Sequence, residues 1–320
     1  MNKILVIQTA FIGDVILATA VLEKLHEKFP NARLDILVRN GNETLFVQHP
    51  YINNCLVWNK THGKYKSLFS LIAKIRKEKY DIVINLHRFA SSGFITICSN
   101  AKTKIGFDKN PFSFLFTKKV KHKIGNGLHE VERNQLLINE ITDDNFAMPK
   151  LYPSQLNYER IKDLKTDSYV CMAPSSVWAT KQLPLHKWVE LCDKITDGKS
   201  IYLLGAKSDN ELCEKIIASS KNKNIKNLCG KLNLLDSCSL MQNATMNYVN
   251  DSAPLHLSSA MNAPVTAFFC STIPEFGFTP LSKNSTIVQV NKKLSCRPCG
   301  LHGFKKCPEG HFKCGNEIVI

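Results

Sequence analysis

No apolar run in this 320-residue chain approaches the ~20 residues that a helix needs to cross a bilayer, so a helical membrane span is not expected. The opening Met1-Asn2-Lys3-Ile4-Leu5-Val6 is too briefly apolar for a secretory leader. The helix expected after it carries Asp14, Glu23 and Glu27, and a cytoplasmic location is expected. Acidic residues are scarce: 27 Asp and Glu against 42 Lys and Arg leave a net charge of +15. Such a balance suits nucleic acid, yet no zinc-finger, helix-turn-helix or RNP-like pattern accompanies it, so no nucleic-acid partner is expected. Nor is there an internal repeat of short fixed period.

The positive charge is unevenly placed. Lys60, Lys64, Lys66, Lys74, Arg76, Lys77 and Lys79 crowd one segment, and Lys118, Lys119, Lys121 and Lys123 another. A solvated surface accounts for many such runs. The functional reading is attraction to anionic headgroups or to a phosphorylated acceptor, and peripheral contact with an anionic membrane surface is expected. Cysteine is plentiful, at 12. Eight are scattered through expected strands and helices, where they act as small hydrophobes.

What is present is an alternation of the two structural periods. Residues 4–7 read as a buried strand, and Val15, Ala18, Leu22, Leu25 and Phe29 mark a helix ending before Pro30. Strands at 34–38, 55–58 and 81–86 follow, with a helix over 68–78 and another over 129–140. A polar passage through 142–153 leads into a second alternation. It has strands at 169–173, 201–204, 247–249 and 265–269, and helices at 186–195, 209–218 and 234–242. This pattern predicts parallel strands with crossover helices in two α/β halves, 1–160 and 161–320. Ligands of such sheets bind at the carboxyl ends of the strands.

Three loops lie at those ends. In the first, Gly13-Asp14 opens a helix. Asp14 is either an N-cap or a general base aimed at an acceptor hydroxyl, with Gly13 allowing a tight turn. The amides of the helix start should keep its carboxylate ionised and weakly basic. In the second, Ser175, Ser176 and Lys181 could hold phosphate oxygens, or form an ordinary polar connection. In the third, Asp251-Ser252-Ala253-Pro254-Leu255-His256 starts a short apolar helix, a setting suited to a diphosphate. There His256 is a ligand or a core histidine. Together the loops suggest a sugar-nucleotide-dependent transferase. In the tail (296–314), Cys296, Cys299, Cys307 and Cys314 are either a structural zinc site or a cluster of packed thiols.

The chain resembles glycosyltransferase family 9, the lipopolysaccharide heptosyltransferases, over nearly its whole length. The resemblance rests on Gly13-Asp14-Val15-Ile16, Lys181-Gln182-Leu183-Pro184 leading to Trp188, and Gly230-Lys231-Leu232. It continues through Asn250 to His256 and Ala263-Pro264-Val265, to Cys296-Arg297-Pro298-Cys299 and Cys307-Pro308-Glu309-Gly310-His311. The tail is similar to that of the heptosyltransferase II branch. The resemblance implies a GT-B fold, two Rossmann-like domains facing each other across a cleft. An N-terminal domain would bind the acceptor and a C-terminal domain the nucleotide sugar.

It further implies inverting transfer of heptose from ADP-heptose to the inner core of a lipid A-linked oligosaccharide. This would occur without a catalytic cofactor, at the inner face of the inner membrane. The family's catalytic aspartate falls on Asp14 and its phosphate-binding lysine on Lys181. Its diphosphate motif falls on Asp251, Ser252, Ala253 and His256. Two departures stand out. Ala253 replaces a glycine often found there, which predicts a less close approach of the backbone to the pyrophosphate. The chain also stops at Ile320, where family members usually continue into a helix crossing back to the first domain, which predicts altered closure. Transfer of another sugar, or donor binding without catalysis, are the alternative readings.

Overall fold

In the computed structural model, which describes residues 3–60, 64–165, 168–196 and 198–320, all strand pairings are parallel. Met1 and Asn2 of the opening segment, and the Lys64 side chain of the basic cluster, lie outside the described residues. The chain divides into two units, Met1–Tyr152 and Pro153–Ile320.

The first unit holds β1 (Lys3–Ile7), β2 (Arg33–Arg39), β3 (Ile52–Trp58), β4 (Ile82–Asn85), β5 (Thr103–Phe107) and β6 (Lys118–Val120), in the order 3-2-1-4-5-6. Parallel neighbours need crossovers, supplied by α1 (Ile12–Lys28), α2 (Lys64–Glu78) and α3 (Ala90–Cys98). The central strands are covered on both faces, which explains the unbroken apolar runs Ile4–Ile7 and Ile82–Ile84. Asp35 is the polar exception at the centre of this sheet. Its buried carboxylate accepts hydrogen bonds from Tyr80 Oη (2.6 Å) and the Asn54 amide (3.0 Å), and pairs with Arg33 (3.0 Å). Its charge is thereby satisfied.

The second unit holds β7 (Tyr169–Ala173), β8 (Ser200–Leu203), β9 (Ile225–Asn227), β10 (Met246–Asn250), β11 (Val265–Phe269) and β12 (Ser285–Gln289), in the order 12-11-10-7-8-9. Its helices include α6 (Leu185–Lys194), α7 (Asn210–Ser219), α8 (Leu234–Gln242) and α9 (Ala253–Ala260). Counted from its own first strand, this sheet repeats the first unit's 3-2-1-4-5-6 order. Each sheet therefore reverses direction beside its first strand, between β1 and β4 and between β7 and β10. Such a switch point opens a crevice at the carboxyl ends.

Several elements differ from the sequence expectation. The segment read as one helix over 129–140 is α4 (Glu130–Gln135) followed by a separate 3-10 turn, Asn139–Ile141. The helix α5 (Gln155–Arg160), placed by the sequence in the first half, belongs to the second unit. Asn157 donates to Asp236 Oδ1 (2.7 Å) and the Tyr158 hydroxyl to Gln242 Oε1 (2.7 Å), both on α8. The strands β5, β6, β9 and β12 and the helix α3 were not anticipated from the sequence. Of these strands, β6, β9 and β12 are largely solvated sheet edges, whereas β5 is interior, its apolar run broken by Thr103, Lys104 and Gly106.

Candidate functional site

Each unit presents candidate groups at its own switch point. In the first unit the β1–α1 loop is held from three sides. Lys60 Nζ donates to the Thr9 carbonyl (2.8 Å), His87 Nδ1 lies 3.0 Å from Thr9 Oγ1, and Asn42 Nδ2 donates to the Ala10 carbonyl (3.2 Å). His87 follows β4, the strand across the switch point. Burial, with Lys60 and Arg88 close by, holds its imidazole down at about 3, so it faces Thr9 as a neutral ring. The Arg39 guanidinium sits 4.7 Å over the Phe11 ring.

Phe11, in extended conformation, is the N-cap of α1, and Asp14 lies in the first turn. The capping role considered for Asp14 is therefore taken by another residue. Gly13 is also inside that turn and is not among the glycines with positive φ, so the tight-turn role expected of it does not apply. Contrary to expectation, the helix amides do not keep Asp14 a weak base. Burial and the nearby Glu130 push its carboxyl up to about 7, outweighing the backbone N–H groups of Asp14 and Phe11 and the charge of Arg88. Glu130, on α4, is itself buried and receives a 2.8 Å hydrogen bond from Arg133 Nε. A carboxyl half ionised near neutrality is suited to proton abstraction.

In the second unit the loops after β7 and β10 are joined by Asn250. Its buried side chain accepts from the Leu183 amide (2.8 Å) and donates to the Pro174 carbonyl (2.8 Å). Lys181 Nζ lies 2.8 Å from Asp251 Oδ2, and the Thr272 hydroxyl donates to the same oxygen (2.5 Å). Ser252 is the N-cap of α9, with Ala253 and Pro254 in its first turn. The Ser252 side chain makes no capping bond, and its hydroxyl lies 3.4 Å from the Asn250 carbonyl instead. His256 is buried one turn further in, 6.5 Å from the Phe278 ring. Ser175 is turned toward the β8–α7 connection, donating to Asp209 Oδ1 (2.8 Å). Ser176 accepts Gln182 Nε2 at its carbonyl (2.6 Å). Thus Lys181, Asp251, Ser252, Ala253 and His256 cluster, whereas the Ser175 hydroxyl is engaged elsewhere.

Among the described residues no three Cys, His, Asp or Glu side chains are arranged to share a metal ion. Cys299, Cys307 and Cys296 nevertheless lie close enough to Cys314 for their charges to act on it, so the zinc reading and the packed-thiol reading both stand. Cys299 Sγ turns to the Cys296 carbonyl (3.4 Å), and Cys314 is buried on the short helix α10 (Lys313–Asn316). The residues that tie the tail down lie between the cysteines. Arg297 donates to the carbonyls of Phe269 (3.1 Å) and Thr272 (2.6 Å), and Phe304 N donates to Thr180 Oγ1 (2.7 Å). Gly303, at φ +77°, packs so closely that a Cβ there would lie 2.8 Å from Thr180 Oγ1 and 3.2 Å from Lys181 Cγ. The tail thus buttresses the loop that carries Lys181. Sequence reasoning missed Asn250, Asp209 and Arg297 as supports, because their partners lie tens of residues away.

The model of glycosyltransferase family 9 (heptosyltransferase) matches residues 68–306. Lipooligosaccharide heptosyltransferase 2 of Campylobacter jejuni is 27% identical over 323 residues, covering 99% of this chain and 94% of that protein. The structure of E. coli ADP-heptose LPS heptosyltransferase II superposes with a TM-score of 0.80 at 19% identity, covering 98% of this chain and 97% of that one. E. coli heptosyltransferase WaaC, solved with ADP-2-deoxy-2-fluoro heptose, gives 0.74 at 18% identity, covering 90% and 93%. The fold is the GT-B fold of these enzymes, and with the family model spanning most of its length, the chain belongs to glycosyltransferase family 9, the heptosyltransferases.

Proposed function

We propose that this protein transfers heptose from ADP-heptose to the inner core of a lipid A-linked oligosaccharide, lipid A-Kdo or a heptosyl acceptor, by a single inverting displacement. The observation that carries the mechanism is the Asp14 carboxyl, poised near 7 at the switch point of the first unit. Asp14 takes the proton of the acceptor hydroxyl as that oxygen attacks the anomeric carbon. The bond to the ADP oxygen breaks on the opposite face, and the diphosphate leaves with the electron pair. The first unit is assigned the acceptor and the second the nucleotide sugar.

In the second unit, Lys181 and the open first turn of α9 offset the charge of the departing diphosphate, so the reaction proceeds without a catalytic metal. Asp251 carries the same sign as a phosphate, so direct contact between them is unfavourable. Its bonds to Lys181 and Thr272 suit it to hold the lysine in place, with Ser252, Ala253 and His256 lining the donor side. Ser176 contributes its polar loop beside Lys181, and the engaged Ser175 supports that loop through Asp209.

No helix among the described residues is long and apolar enough to cross a membrane. The enzyme is proposed to work peripherally, on the cytoplasmic inner face of the inner membrane, where a lipid-linked acceptor would be presented. The direct test offers ADP-heptose, with other nucleotide sugars alongside, to wild type and Asp14→Ala on heptose-deficient core acceptors. The product's mass and anomeric configuration are then read. Transfer of heptose with inversion by wild type alone supports the reading, and turnover by Asp14→Ala refutes the base assignment.

A further inference from the structure

The first unit carries a cluster of exposed aromatic and aliphatic side chains that the transfer chemistry does not use. Phe114 is 70% exposed, Phe89 65%, Phe69 61% and Leu115 52%. They come from three elements bound to one another. The Phe69 and Phe94 rings pack edge to face at 6.4 Å, and Phe94 meets Phe112 at 6.0 Å, joining α2, α3 and the loop after β5. Asn110 Nδ2 donates to the carbonyls of His87 and Phe89, at 3.1 and 3.0 Å, locking that loop to the start of α3. The fit is close, since a Cβ at Gly93 would fall 2.0 Å from Asn110 Oδ1. Large apolar groups on so well-tethered a surface call for a partner.

The surrounding charge says which kind. Residues 60–77 contain no Asp or Glu, and residues 82–129 contain a single one, Asp108. That carboxylate is turned inward, accepting from the His122 amide (2.9 Å). Lys66, Lys109, Lys119, Lys121 and Lys123 are exposed, with no acidic partner in an ion pair among the described residues. Phe89 follows β4, the 112–115 segment follows β5, and the first half of α2 follows β3. Phe89 and the start of α2 therefore lie at the carboxyl edge of the sheet, the edge that also carries Asp14, and the 112–115 segment runs from that edge back toward the start of β6, where Thr117 meets Lys104. Exposed Phe and Leu carried on lysine-rich, nearly acid-free stretches of chain are the chemistry of a surface that sits in the headgroup layer of an anionic bilayer. The rings enter the acyl boundary and the ammonium groups meet phosphates.

We propose that this face, centred on Phe114 and Leu115 and bordered by Phe69, Phe89 and the lysines of 109–123, docks the enzyme on an anionic phospholipid membrane. It would thereby present the Asp14 edge to acceptors held in that membrane. The inference rests on the reading above that the acceptor is lipid-linked, but its test is separable from that reading. Binding is measured by co-sedimentation with vesicles of phosphatidylglycerol and phosphatidylethanolamine, and with phosphatidylcholine vesicles, at low and high salt. Transfer to a delipidated, water-soluble core acceptor is followed in parallel.

Wild type is expected to bind the anionic vesicles about tenfold or more tightly than the neutral ones, with the preference shrinking in salt. Phe114→Ser combined with Leu115→Ser is expected to lose about tenfold or more in vesicle binding at both salt levels, with soluble-acceptor turnover unchanged. Should that variant fold poorly, Lys119→Glu combined with Lys121→Glu tests the electrostatic half, with the loss confined to low salt. Equal binding to both vesicle types, or wild-type binding by folded variants, overturns the docking surface and leaves the transferase reading standing. Vesicle binding without any heptose transfer overturns that reading and leaves the surface standing.

Discussion

The two units share a strand order and a switch point, yet each treats the acid placed there differently. In the first, Asp14 sits among buried neighbours, with a second carboxyl close by, and is pushed toward neutrality. In the second, Asp251 is held by an ammonium group at 2.8 Å and a hydroxyl at 2.5 Å. On the proposed reading, one fold thus yields a proton acceptor in one copy and an anion-tolerant, lysine-bearing corner in the other. The difference comes from side chains on neighbouring loops, since the backbone plan is common to both. The topology supplies the place, and the local charge supplies the role.

The sharpest way to break this contrast is to neutralise each acid in turn. Asp14→Asn removes the proton acceptor and should lower kcat by about 10²–10⁴-fold, with ADP affinity, measured calorimetrically, unchanged. If Lys181 faces the diphosphate as proposed, Lys181→Ala should cost about 10²–10³-fold in kcat and should also weaken ADP binding. Asp251→Asn frees the lysine without removing it, so its effect on both measurements should be smaller than that of Lys181→Ala. A loss in Asp251→Asn larger than in Lys181→Ala would show that Asp251 does more than position its partner.

Stability sharpens the same comparison. A carboxyl whose folded-state pKa is raised from 3.8 to about 7 stabilises the fold only when protonated. Its ionisation therefore costs nothing below about 4, costs more as pH rises from about 4 to about 7, and costs most above that, where it is on the order of a few kcal/mol. Asp14→Asn should raise Tm at pH 8 by several degrees and leave it nearly unchanged near pH 4. An inactive yet more stable variant is the signature of an acid kept for chemistry.

Two smaller effects concern the tail. Gly303→Ala has no room for its Cβ against Thr180 and demands a φ of +77°, so it should cost about 1–3 kcal/mol and loosen ADP binding through Lys181. Cys296→Ser and Cys307→Ser, measured with and without a chelator, separate the two readings of the tail: a wild-type Tm unchanged to within about 1 °C by chelator and by either variant supports packed thiols, and a chelator-dependent fall that the variants reproduce supports a structural metal.

How legible all this was depends on where each residue's partners lie. Central strands such as 4–7 and 265–269 announce themselves, because burial on both faces demands apolar runs. Edge strands do so less, though part of the edge strand β3 is legible at 55–58 while the interior β5, interrupted by Lys104 and Gly106, is not. Lys118-Lys119-Val120 pairs on one side only and meets solvent on the other, so its composition reads as a basic loop. At the sites, Asp14, Lys181 and Asp251 were legible as polar residues at strand ends, and the resemblance gave them roles. What sets those roles was not legible. Glu130 lies more than a hundred residues from the Asp14 it perturbs, and local reasoning about helix amides gave the wrong direction for that carboxyl. The tail shows the converse, since its cysteines drew attention while Arg297 and Gly303 make the contacts with the Lys181 loop.

The central claim is that burial and Glu130 tune Asp14 for proton abstraction near neutral pH. Its most direct test is the pH dependence of kcat/KM for wild type beside Glu130→Gln. The account predicts that activity falls about tenfold per unit below a midpoint near 7, with Glu130→Gln moving that midpoint to lower pH because a raising influence is removed. A wild-type profile flat down to about pH 5, or a midpoint unmoved in Glu130→Gln, would contradict it.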